Sequence, residues 1–101
     1  MTDDAWPDAP TYEQIRRAWP ATVAAQPVGT RVTGQVIERR PFGVFLRIDE
    51  VPLAVGLADI GSMPSGASLP VQGDRIRGEV VWHTDHNHQV RVRLSEWIGR
   101  G

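Results

Sequence analysis

The stretch from Arg39 to Ile48, RRPFGVFLRI, sets two phenylalanines three residues apart with arginines on both sides. An exposed aromatic ring is a platform on which an unpaired base can stack. A guanidinium is a planar fork that grips phosphate with two hydrogen bonds or stacks on a ring. Together they are the chemistry of single-strand binding. A regular strand points residues three apart to opposite faces, so one ring would be buried and the other bare. Gly43 offers another outcome. Glycine inside a strand marks a bulge or bend, and one extra residue would bring Phe42 and Phe45 onto one face. The competing reading puts one ring in the core and the other over an end of the fold, since single exposed aromatics are ordinary.

A second group lies in QVRVRLS, residues 89–95. Alternation turns Val90, Val92 and Leu94 inward and Arg91 and Arg93 outward. The arginines then either meet phosphate or pair with Glu79 or Glu38 on a solvated face. A third group, WHTDHNH, gathers His83, Asp85, His86 and His88. Zinc takes three or four such ligands, but this spacing fits no helical or knuckle pattern. Asp, Asn and His also suit a hairpin turn, so no metal is expected there. Asp59 near Arg91 reads as an ion pair rather than an acid–base couple. Ser62, Ser65 and Ser68 lack a nucleophile elbow, and no glycine loop cradles a phosphate. The absence of cysteine excludes disulfides and thiolate chemistry. Neither an enzyme nor a cofactor is expected.

The elements that must position these groups are short. The 101 residues fit one domain. The first ten, MTDDAWPDAP, read as a disordered lead with no signal-peptide pattern. No run approaches a membrane span, and a cytoplasmic monomer is expected. Thr11 and Gln14 form a capping box for a helix with Tyr12, Ile15 and Trp19 on one face. Pro20 should end or kink it, and residues 21–27 are either another turn or a linker. From residue 28 the texture alternates. Strands are expected over 30–40, 42–48, 53–60, 74–83 and 89–95, with a Gly/Pro/Ser loop over 61–70 and a hairpin turn over 84–88. Trp82 falls in phase with Ile76 and Val80, which predicts a buried or end-covering ring. Trp97 is expected to pack on the helix. The net charge of −1 argues against a strongly electrostatic binder. Every cation other than histidine is arginine, none lysine, and residues 28–101 carry a local +1 against −2 for residues 1–27.

VGTRVTGQV, PFGVFLRI, VGLADI, VQGDRIRGEVV and VRVRLS, in this order and spacing, resemble the S1 domain. This RNA-binding module implies an all-β, five-stranded OB-fold Greek-key barrel over residues 28–97. The helix and linker of 11–27 precede it, and a tail of 98–101 follows. The resemblance implies that Phe42 and Phe45 present their rings to RNA and that Arg91 lies on the RNA face. Arg47 or Arg93 would help hold phosphates, and Asn87 or Asp85 would support the site from the hairpin turn. One element departs from the family. Its third strand usually ends in a histidine that touches RNA, and Asp59 stands there. A carboxylate repels phosphate and offers no stacking surface, at a cost of roughly 1–3 kcal/mol per lost contact. Weak, sequence-tolerant binding of single-stranded RNA is therefore expected. The alternative is a protein-interaction module, an accessory or inhibitor subunit, supported by Asp59, the near-zero charge and the tryptophans.

Overall fold

The computed structural model describes residues 9–97. The expected lead, Ala9 and Pro10 apart, and the expected tail lie outside them. Helix α1, Tyr12–Ala25, begins at Thr11. Thr11 Oγ1 accepts the Gln14 amide at 3.1 Å, and Gln14 Oε1 accepts the Thr11 amide at 2.9 Å. This reciprocal box satisfies two donors that a helix start leaves free. The helix does not end at Pro20 but runs five residues beyond it. Proline removes one backbone bond there. Trp19 and Thr22, both buried, hold the surrounding turns against the rest of the fold.

Five strands follow: β1 Arg31–Arg40, β2 Gly43–Ile48, β3 Val55–Asp59, β4 Arg75–Thr84 and β5 Gln89–Leu94. They close a barrel in the order β1-β2-β3-β5-β4, and β4 returns to pair with β1. Only β3 and β5 run parallel. Closure leaves no open sheet edge. Alternation fills the interior with Val32, Val36, Val44, Leu46, Ile48, Ala58, Val80, Val90, Val92 and Leu94. Each buried Val, Leu or Ile contributes about 1.5–3 kcal/mol, so these strands carry the core.

The barrel ends are closed differently. At the β4–β5 hairpin, α1 lies over the opening. The Trp19 indole N–H donates to Asp85 at 2.9 Å, and its ring meets His83 and His88 edge-on. His83 Nε2 donates to the Gln26 carbonyl at 2.6 Å. Two of the three histidines thus serve helix docking. Among the described residues, no group of three His, Cys, Asp or Glu side chains is placed to hold a metal ion. Trp97 does not pack on α1 as expected. It is buried in a short 3-10 turn, Ser95–Trp97, beside Gly66 and Ala67. The reason is strand length: the six residues of β5 carry the chain about 20 Å away from the hairpin. Among the described residues, no helix is long and apolar enough to cross a membrane.

Candidate nucleic-acid interface

Two bulges decide what the outside of the barrel shows. In β1, the register with β2 shifts between Val36 and Glu38, so Ile37 is the extra residue. In β4, the register with β5 shifts between Val80 and Trp82, so Val81 is extra. A bulge reverses the facing of every residue beyond it. Beyond Ile37, Glu38 pairs with Phe45 and points outward. Beyond Val81, Trp82 pairs with Arg91 instead of Val90 and lies on the outer face. Trp82 is 65% exposed, where an unbroken alternation had put it inside.

Phe42 and Phe45 do meet, but not through a bulge at Gly43. Within β2, Val44, Leu46 and Ile48 point inward, and Phe45 and Arg47 outward, without interruption. Phe42 lies outside the strand, in the two-residue loop Pro41-Phe42 between paired Arg40 and Gly43. Its ring folds back to 5.8 Å from that of Phe45, nearly perpendicular to it. Gly43 matters for another reason. A Cβ there would lie 2.5 Å from the Ala58 carbonyl oxygen, on a backbone with φ +155°. Only glycine lets β3 approach this closely, and that approach draws Asp59 beside the phenylalanine loop.

Reading across the strands, Phe45 pairs with Leu57, Leu57 with Arg91, and Arg91 with Trp82. This row crosses the barrel wall on its outer side. Leu57 points outward yet is buried between its neighbours. Ile60, half-exposed, donates its amide to the Phe42 carbonyl and extends the apolar end of the row. Asp59 sits at that end. Its Oδ1 accepts the Gly61 amide at 2.7 Å and caps the 3-10 turn Ile60–Ser62. Its Oδ2 accepts from Arg91 Nη1 at 2.5 Å. The ion pair expected between these residues is present, with both side chains about 30% exposed.

The remaining candidates are distributed unevenly. Arg47 lies two residues along β2 from Phe45 on the same face, and Arg93 two along β5 from Arg91. Among the described residues neither forms an ion pair. Asn87 is exposed in the hairpin turn, at the end that docks α1. The fold therefore gathers Phe42, Phe45, Asp59 and Arg91, flanks them with Arg47 and Arg93, and carries Asn87 on the β4–β5 turn. Trp82 and Leu57 were absent from the sequence-based set. The signal for Trp82 was the adjacent pair Val80-Val81, which breaks alternation where the bulge falls.

No protein-family model matches the chain, and no curated protein matches it in sequence. Solved structures do match in shape. RNase R of Mycoplasma genitalium superposes with a TM-score of 0.64 at 18% identity, over 77% of this chain and 15% of that one. GSP13 from Bacillus subtilis gives 0.57 at 20% identity, over 73% and 59%. MJ1198 from Methanocaldococcus jannaschii gives 0.51 at 18% identity, over 73% and 95%. The chain thus spans well under two thirds of RNase R and about three fifths of GSP13. The strand order, the closure and these superpositions agree: the chain folds as an S1-like OB barrel.

Proposed function

We propose that this barrel binds single-stranded RNA, weakly and with little sequence preference, through the face that carries Phe42, Phe45 and Arg91. The observation that carries the reading is the pair of adjacent, outward phenylalanine rings beside a row of outward arginines. Stacking on such rings is worth about 1–3 kcal/mol per base and tolerates any base. The arginines supply phosphate contacts, but Asp59 already occupies Arg91. That leaves Arg47 and Arg93 as the principal phosphate partners. RNase R of Mycoplasma genitalium has been solved in complex with ribose-methylated single-stranded RNA, which lends the reading support from a shared fold.

Titration of a labelled single-stranded RNA oligomer at two salt concentrations tests it. Two phosphate contacts on a single strand give a log–log salt slope of about −1.4. Binding with a slope this shallow, and a marked preference over duplex RNA, is the expected result. A protein partner is the second reading, favoured by the closed Asp59–Arg91 pair, which leaves this end of the face neutral. The complete absence of RNA binding would transfer the case to it.

A further inference from the structure

The outer wall of β4 and β5 carries an indole that no described residue covers: Trp82 is 65% exposed. It lines a recess of about 260 Å³ together with Leu57 and Val81, and with Asp59 and Arg91, which are paired to each other. Arg93 stands nearby. It is two residues along β5 from Arg91, the partner of Trp82, and so roughly 8 Å from Trp82. Arg93 is exposed and forms no ion pair among the described residues, although Glu79 faces it across the strands. The start of α1 lies at the same end of this wall. The Tyr12 ring is 5.8 Å from His88, whose neighbour Gln89 pairs with Thr84, two residues along β4 from Trp82. Tyr12 therefore stands roughly 15 Å from Trp82.

The chain that leads into this helix has the complementary chemistry. Residues 1–8, MTDDAWPD, hold three aspartates, one tryptophan and no arginine. Residues 9–101 hold eleven arginines against nine carboxylates, so this segment reverses the sign of the whole chain's charge. We propose that residues 1–8 dock on the β4–β5 wall, with Trp6 in the recess beside Trp82 and Asp3 and Asp4 at Arg93. The spans agree. Six residues separate Trp6 from Tyr12, a reach of up to about 20 Å. Asp4 and Asp3 lie two and three residues before Trp6, a reach of up to about 7–10 Å, against roughly 8 Å from Trp82 to Arg93. An indole laid on Trp82 removes apolar surface from water on both rings. The carboxylates that face the aspartates are Asp59, neutralised by Arg91, and Glu79. A short tether holds its own end at an effective concentration on the order of millimolar, so a weak contact suffices. Arg93 is one of the two phosphate partners proposed above, and the docked segment competes with RNA for it. The contact is thus autoinhibitory. The docking stands without the RNA reading, and the competition rests on it.

The chain has no cysteine, so Thr2→Cys offers a single point for a nitroxide label on the whole 101-residue chain. At low salt the label should broaden the amide signals of Trp82, Arg91 and Arg93 most, and those of Gln72 and Gly73, ahead of β4, least. Trp6→Ala, which keeps every charge and alters no described residue, should remove most of this broadening. Broadening confined to the start of α1, or spread evenly over the barrel, would overturn the docking. The competition is read with a fluorescent uridine hexamer. Adding it to the labelled chain should restore the Trp82 and Arg93 signals. Deletion of residues 1–8 should raise hexamer affinity several-fold, and Trp6→Ala should raise it as well. Unchanged affinity in both variants would overturn the autoinhibition and leave the RNA reading standing. A hexamer that binds neither the whole chain nor the shortened one would overturn the RNA reading, with the docking still decided by the label.

Discussion

Asp59 binds two partners at once, and its removal should separate them. One oxygen caps the Ile60–Ser62 turn and the other holds Arg91. Asparagine keeps an oxygen for the Gly61 amide and loses the charge. Asp59→Asn should therefore leave the fold nearly unchanged, within the ~1 kcal/mol of a partly exposed ion pair. It should also free Arg91 for phosphate. RNA affinity should rise several-fold, and the salt slope should steepen by about 0.7, the value of one added single-strand contact. Unchanged slope in a titration at three salt concentrations would mean that Arg91 does not meet the backbone. The phenylalanines call for a paired measurement. Phe42→Ala/Phe45→Ala should cost about 2–5 kcal/mol of binding if both rings stack bases. Phe42 is 48% exposed, so the variant should melt within a few degrees of the wild type. Loss of a core phenylalanine would instead cost about 3–5 kcal/mol of stability. An unfolded double variant would return these rings to a structural role.

At the scale of elements, the strands were legible and their interruptions were not. Val90, Val92 and Leu94 turn inward and Arg91 and Arg93 outward as alternation predicts. Each strand boundary falls within two residues of expectation. The bulges at Ile37 and Val81 are different. They arise from how two strands fit into a closed barrel, and each strand's own sequence marks them only by an adjacent apolar pair, Val36-Ile37 and Val80-Val81. That is why Trp82 was expected to be buried or to cover a barrel end, and why Gly43 was credited with a slip it does not make. Trp97 was misplaced for a related reason, because its position depends on where β5 ends relative to α1. Two substitutions test the elements directly. Gly43→Ala must push a methyl group against the Ala58 carbonyl, so the hairpin and β3 have to part. We expect about 1–3 kcal/mol of destabilisation from this overpacking, read by urea unfolding. A neutral result would mean that β3 can shift without cost. Trp19→Ala removes the main contact between α1 and the hairpin, including the bond to Asp85. About 3 kcal/mol should be lost, near the lower end for a buried aromatic, and the melting temperature should fall by more than ten degrees. A small shift would show that the helix is not needed to close the barrel.

Across the whole molecule, the acid-sensitive bonds fasten β1 to β4 and the helix to itself, and Asp59 with Arg91 is a separate pair. Asp49, in the turn after β2, accepts from Thr33 on β1 at 2.7 Å and from both terminal nitrogens of Arg75 on β4 at 2.5 and 3.2 Å. The hydrogen bonds from Arg75 and then Thr33 hold its carboxyl below the usual range, and the Arg75 charge adds to them, while desolvation opposes. Glu13 is held down in the same direction by Arg16 and Arg17 on the helix surface. A carboxyl that ionises more readily in the folded state binds fewer protons there than in the unfolded chain. Its stabilisation is therefore complete above about pH 4 and is lost as the pH falls through the lowered folded value. The Asp49 side chain is 37% exposed and Arg75 61%, so solvent screening limits the pair to about 1 kcal/mol. Asp49→Asn should lower the melting temperature at pH 7 by roughly 4–8 °C per kcal/mol lost. The two proteins should converge towards pH 3, where the wild-type carboxylate is also protonated. Parallel melting curves from pH 7 to 3 would show that the bond adds nothing to stability. RNA affinity at pH 7 should change little, because Asp49 bonds Thr33 and Arg75 and touches neither the phenylalanine pair nor Arg91, although Arg47 lies two residues before it on β2. A drop in affinity at unchanged stability would extend the nucleic-acid path past Arg47 towards Asp49 and Arg75.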